Sequence, residues 1–76
     1  MNNIELKDNA IVWLEKQSKI YKTRPYLFKP KEVADAISGA YTALGHVAPE
    51  VVDGLKARGV KVRYRKDGNK RFFVLL

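Results

Sequence analysis

Hydrophobic and polar positions alternate most cleanly near the end of the chain, in residues 60–76 (VKVRYRKDGNKRFFVLL). Val60, Val62 and Tyr64 interleave with Lys61, Arg63 and Arg65, a period of two that predicts a strand with one buried and one wet face. Lys66-Asp67-Gly68-Asn69-Lys70 follows; Asp-Gly and Gly-Asn both tolerate positive φ, so this is a tight hairpin turn. Residues 71–76 supply the return strand. Two registers fit: a loop at Asp67-Gly68 pairs Val62 with Phe73, and a loop at Gly68-Asn69 pairs Tyr64 with Phe73. They differ by two residues, so both keep Val62, Tyr64, Phe73 and Leu75 on one face. Lys61, Arg63, Arg65, Lys66 and Lys70 then occupy the opposite face and the tip.

Upstream the period changes. Residues 3–21 predict a helix, with Asn2 and Glu5 as a capping pair. Ala10-Ile11-Val12-Trp13-Leu14 alone could be a strand, but polar flanks without a turn residue make the segment too long for one. Leu6, Ala10, Trp13, Leu14 and Ile20 or Tyr21 share a broad apolar face, leaving Ile4, Ile11 and Val12 pointing partly elsewhere. So wide an apolar arc is core or, alternatively, a homodimer contact through this first helix. Lys22-Thr23-Arg24-Pro25 breaks it. Tyr26-Leu27-Phe28 is a short β-prone run, a third strand at the sheet edge. A second helix starts at Lys29-Pro30-Lys31-Glu32 with Pro30 in its first turn, buries Val33, Ala34 and Ile37, and ends at Gly39 as its C-cap. Residues 38–46 (SGAYTALGH) carry two glycines and allow a single helical turn. A third helix is expected from Pro49 to Gly59, with Val51, Val52 and Leu55 buried and Gly54 tolerated inside it.

The 76 residues make one domain, 1–76, of class α+β: 46% hydrophobic, 30% charged and without cysteine. The lack of cysteine leaves no disulfide framework and no thiolate metal site. No apolar run approaches the ~20 residues of a membrane span. The start MNNIELKDN lacks the basic and apolar regions of a secretion signal, so a cytoplasmic location is expected.

Charge sharpens the picture because it is unevenly placed. The net charge is +7. Residues 16–31 hold Lys16, Lys19, Lys22, Arg24, Lys29 and Lys31 and no acid; residues 32–53 hold Glu32, Asp35, Glu50 and Asp53 and no base; residues 60–76 return six bases against Asp67 alone. Clustered positive charge is the footprint of a polyanion partner, most often nucleic acid; the plainer alternative is solubility and protection of a sheet edge. Catalysis finds little support. One His, two serines (Ser18 and Ser38) and no Cys give no nucleophile–base set, metal-ligand spacing or Gly-rich phosphate loop, so neither an enzyme nor a cofactor is expected.

The order helix, short strand, helix, turn, helix, strand, basic tip, strand resembles a winged helix-turn-helix domain. Residues 28–37 (FKPKEVADAI) resemble the helix before the turn. Residues 47–59 (VAPEVVDGLKARG) resemble the recognition helix, and Val62-Arg63-Tyr64-Arg65 through Phe72-Phe73-Val74 resemble the wing. The resemblance spans nearly the whole chain and implies binding of double-stranded DNA, with residues 49–58 in the major groove and residues 63–71 on backbone or minor groove. It implies a small transcriptional regulator or a DNA-architectural factor, associated with the nucleoid. The wing contacts would come from Arg63, Arg65, Lys66, Asn69, Lys70 and Arg71, with Arg65 and Arg71 suited to bidentate phosphate contact. The third helix and the turn before it would offer Tyr41, Thr42, His46, Glu50, Asp53 and Lys56. Two features depart from the family pattern. The segment between Ile37 and Val47 is longer than the usual tight turn, and Glu50 and Asp53 on the outward face suit the helix dipole better than a phosphate. The rival is a winged-helix protein–protein interaction module docking an acidic surface of a transcription or replication complex. An exposed Phe72 would instead favour stacking on single-stranded bases. The second basic cluster either flanks the same DNA or forms a solvated face.

Overall fold

The computed structural model describes residues 2–76. Three helices, α1 (Asn3–Ile20), α2 (Pro30–Ala36) and α3 (Tyr41–Ala57), cover one face of a three-stranded antiparallel sheet of β1 (Tyr26–Phe28), β2 (Val62–Asp67) and β3 (Lys70–Leu75). The strand order is β1-β3-β2, so the last strand is the central one.

The hairpin adopts the second of the two registers: Tyr64 pairs with Phe73, Val62 with Leu75 and Lys66 with Arg71 around a Gly68-Asn69 loop. Gly68 takes φ +62, as the first loop residue of a type II′ turn requires. Val62, Tyr64, Phe73 and Leu75 face the helices as expected. Lys66 does not lie with Arg63 and Arg65: period two puts it on the helix-facing side, opposite Arg71. Tyr26-Leu27-Phe28 is the expected edge strand, pairing with Leu75, Val74 and Phe73.

Helix α1 begins as its sequence predicts, with Asn2 Oδ1 accepting from the Glu5 N–H at 2.8 Å. Leu6, Ala10, Ile11 and Leu14 are its buried residues. Ile11 therefore belongs to the core, whereas Ile4 and Ile20 are well exposed and Trp13 is half-buried. Tyr21 follows the helix and stacks on Tyr26, ring centroids 4.5 Å apart, while Trp13 meets Phe28 edge-on at 5.2 Å. This aromatic group fastens β1 to α1. Arg24 folds back on the same helix end and donates to the carbonyls of Ser18 (2.8 Å) and Tyr21, satisfying acceptors that a helix C-terminus leaves open.

Helix α3 differs most from expectation. It starts at Tyr41, not Pro49, and Pro49 lies inside it. The buried positions Leu44, Val47, Ala48, Val51, Val52 and Leu55 run without a break past the proline, an amphipathic stripe of helical period. The connection from α2 shrinks to residues 37–40, so the long segment inferred from sequence is in fact a tight turn. The end of α2 also differs in detail. Ser38, with φ +57, holds the left-handed position, and Gly39 follows it, donating its N–H to the Ala34 carbonyl at 2.8 Å. Gly39 serves packing instead: a Cβ there would stand 2.4 Å from Leu6 Cδ1. At the end of α3 the same capping pattern uses Gly59 (φ +80), as its sequence suggests, with the Val60 N–H donating to the Leu55 carbonyl.

The helices α1 and α3 cross at Gly54, where a Cβ would stand 2.4 Å from Ile11 Cδ1 and 3.2 Å from its Cγ1. Gly54→Ala gains about 1 kcal/mol in helix propensity but overpacks a buried contact, a cost of about 1–3 kcal/mol. We expect a net loss of about 1 kcal/mol, a fall in Tm of about 4–8 °C for a domain this size. Adding Ile11→Val, which removes the clashing methyl, should recover the loss. A higher Tm for Gly54→Ala alone would show that the crossing has slack.

Candidate nucleic-acid interface

The hairpin tip leans toward the start of α3, and two adjoining clefts lie along the seam. The first, of about 330 Å³, is lined by Lys29, Pro30 and Lys31 from the start of α2, Tyr41 from α3, and Asn69, Lys70, Arg71 and Phe72 from the hairpin. The second, of about 290 Å³, shares Pro30, Tyr41 and Arg71 and adds Thr42, Gly45, His46, Tyr64 and Lys66. Five cations, Lys29, Lys31, Lys66, Lys70 and Arg71, line the pair, and no carboxylate does. Within the low-dielectric walls of a cleft, charges of one sign reinforce one another's field and draw in the opposite ion.

Local structure explains each placement. β1 stops at Phe28, opposite Phe73, which leaves the β1-side edge of β3 at residues 70–72 open to the first turn of α2. Pro30 at the start of α2 fixes that turn and brings Lys29 and Lys31 to the cleft. The Lys66–Arg71 pair sits where the helix-facing side of the hairpin outruns the core. Arg71 is half-buried and donates to the Gly68 carbonyl at 2.8 Å and the Lys70 carbonyl at 3.2 Å, so it holds the turn as well as contributing charge. Burial raises the Tyr64 phenol above its ordinary pKa of 10.0 and the nearby Tyr41 adds to this, while the Arg71 guanidinium pulls it back. The phenol is thus neutral at pH 7. Tyr64 packs on Phe73 with centroids 4.9 Å apart and forms the floor.

Of the residues singled out from sequence, seven meet here: Tyr41, Thr42, His46, Lys66, Asn69, Lys70 and Arg71. The others lie elsewhere. Lys56 and Arg63 share a wider cavity of about 640 Å³ at the base of the hairpin, with Lys61. Arg65 is exposed on the outer face of the sheet, 3.7 Å from the Asp67 carboxylate. Glu50 and Asp53 are exposed on α3 and line none of these three cavities. Phe72 is half-buried in the first cleft, not a free ring. Lys29 and Lys31 of the second basic cluster join the hairpin, whereas Arg24 of that cluster is committed to the end of α1. The antiparallel pairing of β1 with β3 was the signal that could have placed Lys29 and Lys31. Gly45 carries no signal of its own in residues 38–46, where the sequence allows a single helical turn.

Among the described residues no group of His, Cys, Asp and Glu could hold a metal ion, and no helix is long and apolar enough to cross a membrane. Comparison with known proteins returns no matching family model, no matching curated protein and no matching solved structure.

Proposed function

We propose that the chain is a winged helix-turn-helix domain that binds double-stranded DNA, as a small transcriptional regulator or DNA-architectural factor. The observation that carries this reading is the acid-free seam of five cations between the first half of α3 and the hairpin tip. The tight 37–40 connection between α2 and α3 also suits it, because it removes the departure that the sequence showed from the family pattern. In this reading the DNA contact is the first half of α3, with Thr42 and His46 toward base edges. Lys66, Lys70 and Arg71 then clamp one phosphate strand, and Lys29 and Lys31 extend the track. Glu50 and Asp53 line neither cleft, and Glu50 lies one helical turn after His46 on the same exposed stripe of α3.

Five phosphate contacts would release about five counterions, giving a slope of log K against log salt of about −4.5. Fluorescence anisotropy of a mixed-sequence duplex, titrated at several salt concentrations, tests this. Micromolar binding with that slope is the expected result. Absence of binding at low salt would remove the proposal.

A further inference from the structure

β2 is a terminal strand of the sheet. It is six residues long, contains no proline, and pairs with β3 one-to-one without a bulge. In an antiparallel pair, residues that exchange backbone hydrogen bonds with the partner alternate with residues whose N–H and C=O point away. Two observations fix that alternation here. The two-residue loop closes on the Asp67–Lys70 pair, which such a turn holds by hydrogen bonds. The Leu76 N–H donates to the Lys61 carbonyl at 2.9 Å. The odd-numbered residues from Lys61 to Asp67 therefore bond β3, and the backbone groups of Val62, Tyr64 and Lys66 point outward. Among the described residues no loop or cap backbone pairs with them. The edge is a row of alternating donors and acceptors, a template for an added strand.

The side chains select what fits there. Arg63, Arg65 and Lys66 are exposed, and Asp67 at the tip is the one acid of the strand. A second copy is refused. Antiparallel self-pairing through all three outward positions would set Arg63 opposite Arg65 at two places, and like charges directly opposite destabilise a sheet. A strand bearing acids is attracted by the same residues. The cavity of about 640 Å³ at the hairpin base adjoins this edge: Val62 and Arg63 line it with Lys56 and Lys61, and no acidic side chain does. We infer that the free edge of β2 captures an extended acidic peptide by strand addition. Its acids lie at alternate positions beside Arg63 and Arg65, and its apolar residues lie on the helix side beside Val62 and Tyr64. The charges that bar self-pairing thus choose the partner. Strand capture needs no duplex.

Fluorescence anisotropy of two labelled peptides with the whole chain tests this, one alternating Glu with Val and the other Lys with Val. The acidic peptide should bind and the basic one should not. Arg63→Gln with Arg65→Gln should weaken the acidic peptide about fivefold. Amide hydrogen exchange reads the register. On adding the acidic peptide, the Val62, Tyr64 and Lys66 amides should slow, while those of Arg63 and Arg65, already bonded to β3, should change little. Lys66→Pro removes one outward N–H and no bond to β3, so it should weaken the peptide about tenfold with circular dichroism unchanged. Lys66→Gln should bind it within about twofold of wild type. Where Lys66→Pro loses its helical signal, the wild-type exchange pattern decides. Peptide binding without slowing of the Tyr64 and Lys66 amides overturns strand addition, because the contact is then charge alone. Equal binding of both peptides, or none of the acidic peptide at low salt, overturns it too. A dimer in sedimentation equilibrium with the Tyr64 amide already protected gives the edge to a second copy and likewise overturns it.

Discussion

Phe73→Ala should leave the domain on the edge of unfolding, with Tm lowered by at least about 12 °C in a circular-dichroism melt. Phe73 is fully buried on the central strand. It pairs with Phe28 on one side and Tyr64 on the other, so its ring joins both edges of the sheet to the helices. Truncating a buried Phe to Ala costs about 3–5 kcal/mol, and each kcal/mol moves Tm by about 4–8 °C in a domain this size. At about 0.05–0.15 kcal/mol per residue the whole fold is worth only about 4–11 kcal/mol. Little margin survives. Arg65→Ala on the neighbouring strand is the control: the side chain is exposed and its partner Asp67 is exposed too, so stability should change by less than about 0.5 kcal/mol. If Phe73→Ala melts within a few degrees of wild type, the sheet is not anchored where the structure puts it.

The second large effect falls on binding. Lys66→Gln with Lys70→Gln removes two cations from the seam and touches no core residue, since both side chains are exposed. Each lost phosphate contact should flatten the salt slope by about 0.9, so the pair should take it from about −4.5 to about −2.7. With equal affinity at the 1 M reference, the double variant should bind duplex about 60-fold more weakly at 0.1 M salt. Arg71 is a poorer probe, because it also holds the Gly68 turn. Glu50→Gln with Asp53→Gln provides the contrast: both stand apart from the seam, so the slope should stay within about half a unit. Equal losses from the two double variants would mean that the contact is spread over α3 rather than gathered at the seam.

Much of this architecture is legible in the residues, and the gaps have physical causes. Strand alternation and Asp-Gly-Asn define the hairpin down to two registers, and Asn2 with Glu5 marks the start of α1 correctly. The start of α3 is misread because Pro49 is a strong first-turn signal. Tertiary burial of Leu44, Val47 and Ala48 holds the helix through the proline, against a propensity cost of about 3 kcal/mol. Ile11 is misplaced because its burial depends on a notch at Gly54, 43 positions away, and no local pattern reports such a contact. At the site, the basic hairpin and the small cluster of Tyr41, Thr42 and His46 stand out in the sequence. Their meeting does not, because it depends on where α3 begins. The sides taken by Arg63 and Arg65 follow from strand alternation in either register, and the register adds only that Lys66 stands opposite Arg71.

The placement of β3 governs when the molecule can assemble. β2 and β3 are joined by a two-residue loop and can zip together within microseconds. β1 must wait for a partner about 45 positions downstream, from Phe28 to Phe73, and that closure carries an entropic cost of its own. During synthesis the three helices are made before the strand that organises the sheet. The nascent chain then carries an unpaired Tyr26-Leu27-Phe28 and an uncovered α3 stripe until β3 emerges. A chain that ends short of β3 would therefore present a sticky, sheetless intermediate suited to chaperone capture, and β1 amides should gain protection in pulse labelling only when residues 70–75 are free to pair.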